Sequence, residues 1–582
     1  MKKYILILGA LLLISCTNSS ENEHDFTTIF ETSNGTETSE YAAVISFYKN
    51  LSEVYKTISI FEIGETDSGN PLHLITFSAT SSLNSKLEEI VSKEKNTILI
   101  NNGIHPGESD GIDASMMLLR DLAQGKINSP KNTVIAVIAV YNVGGALNRN
   151  STTRANQNGP KEYGFRGNAR NFDLNRDFIK NDTKNAKAFA KAFHLIKPTI
   201  FIDNHVSNGA DYQYTLTHLF TQHNKLGGEL GDYLHKTLQP ELEKSLANKN
   251  LDITPYVNVF NRTPESGFSQ FMDSPRYSTG YTTLFNTLGM MVETHMLKPY
   301  KQRVEGTYEL LKSMIEITDA NFDTLKTLKE NTLKQYNVGE LYPVSWKIDS
   351  SQTTTLAFKG YEGKMIPSNI TNANRLFFDR TKPFTKDITY YNYFKPKTAV
   401  TIPEKYIIPQ GWWTLIDLLK QNNIELTEIT KDTLISVEVY SIKNYETVRS
   451  PFEGHYLHYN TEVETVSEMV SVKKGDFIID TQQEGIRYLL ETLEPTAPDS
   501  FFNWNFFDTI LQQKEGFSPY VWEDIAEQFL NDNPTIKTEF ETKKEEDPSF
   551  AKNWYMQLDW IHKQSLYYET SHLRYPIFRV GG

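Results

Sequence analysis

The chain has 582 residues, 39% hydrophobic and 12% aromatic, with 59 Lys and Arg against 72 Asp and Glu for a formal charge of −13. That length exceeds what one ordinary core absorbs and predicts two or three domains, and the composition excludes a disordered chain. The acidic balance, with no basic run against it, excludes a generic nucleic-acid binder.

The N-terminus, MKKYILILGALLLISC, places two lysines before an apolar run from Ile5 to Ile14. The run is too short to span a bilayer and reads as an export signal over residues 1–15. Leu13-Ile14-Ser15-Cys16 resembles a bacterial lipobox, which implies cleavage before Cys16, lipidation of its thiol and a lipid anchor in the envelope. The acidic, polar stretch that follows reads as a tether over 16–39 and resembles surface-export signals of some Gram-negative lipoproteins, so an outer-membrane, surface-exposed location is expected. Cys16 is the sole cysteine. The mature fold therefore has no internal disulfide, and any zinc must rest on His and carboxylate ligands.

In chain order, the pattern predicts a helix over Tyr41–Ile58, a strand over Asn70–Ser78, and a buried strand over 97–101 broken by Gly103. A helix follows over Asp110–Leu122, with Ile112, Met116, Leu119 and Leu122 on one face. Thr133–Tyr141 is a β-branched run suited to a strand buried on both sides. The aperiodic, Arg-bearing Asn142–Arg170 reads as a functional loop. Then come a helix (Thr183–Ile196), a short strand (Thr199–Asp203), a helix (Leu226–Leu246), an irregular stretch (Arg262–Thr283), a strand (Gly289–Glu293) and a helix (Arg303–Ala320). Strands alternating with helices predict an α/β fold, a mixed, mostly parallel sheet with helices on both faces. After about residue 331 the texture turns β-rich to residue 400. Residues 401–582 read as an α+β unit of unreadable role, in which Trp412-Trp413 and FFNWNFF (Phe501–Phe507) form either core or an aromatic platform.

The chemistry gathers at His105-Pro106-Gly107-Glu108, at His205 and at Glu293, each at or just after the C-terminal end of a predicted strand, where α/β sheets bind ligands. Two imidazoles and a carboxylate form a zinc set that leaves a position for water. A further carboxylate, Glu293, is placed to accept the water proton and pass it to a leaving nitrogen.

In order, His105-x-x-Glu108, Asp173-Leu174-Asn175-Arg176, His205 and Glu293-Thr294 resemble the motifs of the zinc metallocarboxypeptidases related to pancreatic carboxypeptidase A. The resemblance covers about residues 40–320 and implies a carboxypeptidase-like catalytic domain over 40–330. It implies one zinc per chain on His105, Glu108 and His205, with Glu293 as general base and acid. Asp173 would accept from the His105 ring, and Asn175 and Arg176 would hold a substrate's terminal carboxylate. An earlier arginine would steady the oxyanion: Arg154, with Arg166 and Arg170 as rivals. A tyrosine closing over substrate would be Tyr277 or Tyr281. The expected function is hydrolysis of C-terminal peptide bonds, and the expected partners are a peptide or peptide-like substrate and a membrane, not nucleic acid. Two alternatives stand: a metal-dependent deacylase or amidase acting on peptidoglycan peptides or acylated small molecules, and a non-catalytic envelope lipoprotein that binds peptide or glycan. Side-chain specificity and oligomeric state are not legible.

Overall fold

The computed structural model describes residues 25–80, 85–91 and 95–581, so Cys16 and the leader lie outside the described residues. Among the described residues no helix is long and apolar enough to cross a membrane.

The fold is mixed α/β. Its main sheet contains β1 (Ile58–Glu65), β2 (Pro71–Phe77), β3 (Asn96–Asn101), β4 (Thr133–Ile138), β5 (Ile200–Ser207), β6 (Leu216–Phe220) and β7 (Ile253–Pro255). After the two-residue β8 (Phe268–Ser269), β9 (Leu288–His295) completes it, in the order β1-β2-β4-β3-β5-β9-β6-β7. The run β4-β3-β5-β9 is parallel, while β1 joins β2, β2 joins β4 and β6 joins β9 antiparallel, and the edge strand β7 runs parallel to β6.

Apolar residues alternate between the two faces of this sheet, as the pleat requires. Ile98, Ile100, Ile200 and Ile202 enter a core beneath the helices Tyr41–Val54, Asp110–Ala123 and Tyr300–Ala320. Leu99 and Phe201 face the opposite core, with Phe189 and Phe193 of the helix Lys184–Ile196. That second core continues without a break into Leu415, Tyr488, Phe501, Phe502 and Trp504.

Several elements differ from expectation. The first helix ends at Val54, and Ile58 opens β1 instead. The predicted Leu226–Leu246 helix is interrupted: Gly227, at φ 75°, separates His223–Leu226 from Gly228–Tyr233, and a π-helical turn at Leu234–Leu238 precedes Gln239–Ala247. β6 was not expected; it is a five-residue strand at the edge of an irregular segment.

The remaining chain builds a two-stranded sheet from Leu341–Ile348 and Phe394–Thr401 and a long hairpin from Thr354–Pro367 and Asn374–Tyr391. Beyond these lies a six-stranded sheet that includes Thr433–Thr447 and His458–Val472. Of the aromatic run, Phe501, Phe502, Trp504 and Phe507 are fully buried, so it is core. Trp412 packs on Phe507, whereas Trp413 is exposed.

Candidate active site

β3 ends at Asn101, and Gly103 at φ 65° turns the chain so that His105 and Glu108 sit above the strand end, closed by a Glu108 N–H to His105 C=O bond of 2.7 Å. Gly107 admits the side chain of Arg154, because a Cβ there would stand 2.5 Å from Arg154 Cδ. His205 lies inside β5, which runs to Ser207, further than expected. In the parallel pairing of β5 with β9, His205 is the partner of Glu293. Both side chains share the sheet face of Phe201, as the two-residue alternation requires.

His105, Glu108 and His205 are buried, and one ligand atom from each lies within 4.8 Å of the others. Each imidazole turns Nδ1 toward the centre, 3.3 Å (His105) and 3.1 Å (His205) from Glu108 Oε2. Their Nε2 atoms face carboxylates: His105 Nε2 bonds Asp173 Oδ1 at 2.9 Å, and His205 Nε2 stands 2.9 Å from Asp203 Oδ2. The buried His105 Nδ1 has no hydrogen-bond partner. An orphaned imidazole nitrogen beside a second imidazole and a carboxylate fits a divalent metal such as zinc.

The charges are tightly coupled. Burial opposes ionisation of Glu108, but Arg154, whose Nη2 lies 3.0 Å away, together with His105 and His205 holds its carboxyl well below the usual range. Burial likewise opposes the charge on His205, yet Asp203 and Glu108 hold its pKa well above the ordinary value. Glu293 sits at the rim, pushed up to about 8 by its enclosure and by the charges of Glu108 and Asp203 against His205 and Arg166.

Asp173 caps the short turn Leu174–Arg176, its Oδ1 accepting the Asn175 N–H at 3.0 Å. It also takes Nε and Nη2 of Arg166 on Oδ2 at 3.0 and 2.8 Å. Despite burial, His105, Arg166 and Arg176 keep its carboxyl far below the ordinary value. Asn175 is buried, with Oδ1 accepting the Ser278 N–H at 3.3 Å. Arg176 donates to the Asn175 carbonyl at 2.7 Å and lies 4.5 Å over the ring of part-exposed Tyr277. Arg154 and Arg166 both approach Glu108 Oε1, at 3.0 and 3.7 Å, whereas Arg170 turns away to the Asp182 carbonyl and the Phe172 ring.

The structure corrects Tyr281. It is fully buried among Phe178, Phe193 and Phe285, and its hydroxyl donates to Asn422 Oδ1 at 2.6 Å, so it faces the core and not the cleft. Two further residues belong to the site. Asp203 alternates with His205 on one face of β5, which sets its carboxylate behind the imidazole once the strand is seen to run through His205. Tyr256 follows β7, and burial together with the charges of Glu293 and Glu108 raises the pKa of its phenol; no local pattern in the sequence marks it.

A family model described as zinc carboxypeptidase matches residues 44–197, about a quarter of the chain. Carboxypeptidase 2 of Trichophyton rubrum is 20% identical over 479 residues, covering 78% of this chain and 81% of that protein. Carboxypeptidase 2 of Trichophyton equinum is 20% identical over 434 residues, covering 70% and 74%. Among solved structures, a metallo-carboxypeptidase from Burkholderia cenocepacia has a TM-score of 0.36 at 16% identity over 48% of this chain and 69% of its own. Carboxypeptidase A from Helicoverpa armigera gives 0.37 at 12% identity, over 48% and 74%.

Proposed function

We propose that this chain is a zinc-dependent metallocarboxypeptidase that removes C-terminal residues from peptides. The observation that carries this reading is the convergence, at one rim of the sheet, of His105, Glu108 and His205 with Glu293 and with the turn bearing Asn175 and Arg176. The match of residues 44–197 to zinc carboxypeptidases supports it.

In this reading, His105, Glu108 and His205 would hold a zinc ion, which would supply Lewis acidity and lower the pKa of a water toward neutrality. The positive charge of a bound metal would oppose the burial that raises Glu293, so that its carboxylate takes the water proton and delivers it to the departing amine nitrogen. Arg154 donates to the oxygen on which negative charge develops, with Arg166 the next nearest guanidinium. Arg176, held by the Asn175 carbonyl and the Tyr277 ring, and the Asn175 amide receive the terminal carboxylate, for which a planar guanidinium suits a two-point contact. Tyr277, over Arg176, is the residue proposed to close on the substrate.

The leader and Cys16 support an exported protein with a lipid anchor in the outer membrane.

The test is digestion of a mixed peptide library by zinc-loaded protein lacking residues 1–22, with products read by mass, beside Glu293→Gln. Stepwise loss of C-terminal residues, lowered roughly 10²–10⁴-fold in the variant, is the expected result. Equal cleavage of peptides with free and amidated C-termini would point instead to an amidase or deacylase. Zinc binding without hydrolysis of any amide would overturn both enzymatic readings.

A further inference from the structure

The C-terminal half reaches the site at one tight turn. Between the strands Thr433–Thr447 and His458–Val472, Phe452 and His455 exchange backbone hydrogen bonds of 2.8 and 3.1 Å around Glu453 and Gly454. Both central residues have positive φ, 49° and 82°, the signature of a type I′ turn. Glutamate is uncommon there, and a side chain kept in the left-handed region against its preference points to a role for that side chain. Gly454 lies against Phe172, where a Cβ would come 3.3 Å from the ring.

The Glu453 carboxylate explains the choice. Its Oε2 accepts the backbone N–H of Asp173 at 2.9 Å. The side chain of Asp173 is already committed: one oxygen holds the His105 ring and the Asn175 N–H, the other holds Arg166. Glu453 takes the remaining donor of the residue that starts the Asn175–Arg176 turn.

The turn is braced from below. His455 Nε2 lies 2.7 Å from Asp182 Oδ2, and Phe452 stacks on Trp504 at 6.1 Å. Arg276 lies over both rings, 5.5 and 5.0 Å from their centroids, and is itself held 2.7 Å from the buried Asp499. Arg276 adjoins Tyr277, so one braced assembly supports both edges of the carboxylate-binding corner.

We infer that Glu453, contributed by the C-terminal half, is a positioning residue that locks the Asp173–Arg176 turn into the geometry in which Asn175 and Arg176 bind a substrate carboxylate. This rests on the carboxypeptidase reading for the identity of the ligand, but the positioning itself can be measured without turnover.

The experiment compares full-length, zinc-loaded wild type, Glu453→Ala and Glu453→Gln. It reads KM and kcat on peptides with free C-termini and amide hydrogen exchange over residues 172–178. The Ala variant loses the acceptor and should raise KM about tenfold, the weight of one hydrogen bond, with kcat within about twofold and faster exchange in the segment. The Gln variant keeps a carbonyl acceptor and should restore both readouts to near wild type. Unchanged KM and exchange in Glu453→Ala, even with a lowered Tm, would reduce Glu453 to an adhesive between halves and overturn the inference. Equal impairment of the Gln and Ala variants would also overturn it, since charge and not the hydrogen bond would then be responsible. If wild type cleaves no peptide while exchange still quickens in Glu453→Ala but not in Glu453→Gln, the positioning role stands and the carboxypeptidase reading fails.

Discussion

Imidazoles that turn Nδ1 into one centre need their far nitrogens fixed, and Asp173 and Asp203 do this from separate elements. Such partners set the tautomer and ring orientation of a metal ligand. Asp203→Asn should therefore weaken zinc binding by about 10- to 100-fold in a chelator competition while leaving the fold intact, and Asp173→Asn should do the same. Asp173 was legible because it sits in a recognisable motif. Asp203 was not, because a carboxylate at the end of Ile-Phe-Ile-Asp reads as the polar end of a strand until β5 is seen to continue through His205. The tyrosines teach a related lesson: Tyr277 and Tyr281 are four residues apart, and only the packing of the Lys184–Ile196 helix shows which one is core. Tyr281→Phe should remove a buried hydroxyl that bonds Asn422 and contacts His194 and cost about 1–3 kcal/mol in denaturant unfolding, with kcat/KM per folded molecule unchanged.

The helix Asp110–Ala123 shows what periodicity reveals and what it hides. Its apolar stripe was readable, and Ile112, Met116, Leu119 and Leu122 do enter the core. The burial of Asp110 and Asp113 on the same helix was not, because it is caused by the helix Tyr300–Ala320, whose Arg303 and Tyr300 meet them. There the Tyr300 hydroxyl donates to Asp113, and Ser109 Oγ lies 2.9 Å from the same hydroxyl. Burial, aided by Asp110, outweighs these contacts and pushes Asp113 up to about 6 from 3.8. A folded-state value above the unfolded one means that the native state binds the proton more tightly. Its contribution is thus full below pH 3.8 and is lost as pH rises through 6. The shift corresponds to about 3 kcal/mol at most. Unfolding free energy measured from pH 4 to 7 should accordingly show a downward component that Asp113→Asn removes; identical slopes in the two proteins would exclude this account. The strand ends were similarly approximate in the sequence. It is the in-register pairing of β5 with β9, invisible in either strand alone, that sets His205 beside Glu293.

Across the whole molecule, the change of texture after residue 331 is plain in the sequence, but the joint between the two halves is not. Lys225 and Glu491 lie 266 positions apart, and nothing local to either predicts a partner. Both are buried, with Lys225 Nζ 2.9 Å from Glu491 Oε2, while Glu491 Oε1 accepts the Tyr342 hydroxyl at 2.8 Å. Buried Arg487 reaches from the same helix to the carbonyls of Lys225 and Leu226 and to Asn286 Oδ1. Removing one member of such a pair strands the other charge away from water, which costs about 3–5 kcal/mol, whereas replacing both by apolar side chains of similar size is often neutral. Glu491→Ala should therefore lower the thermal midpoint markedly, and Lys225→Met with Glu491→Leu should recover most of the loss. The core that runs from Leu99 and Phe201 into Tyr488 and Phe501 makes the two sides of the joint cooperative. Hydrogen exchange should thus quicken in the β5 and Ile486–Leu493 segments together in Glu491→Ala. Acceleration confined to the C-terminal segment would show that the sheet carrying His205 and Glu293 holds its structure independently of the half that supplies Glu453.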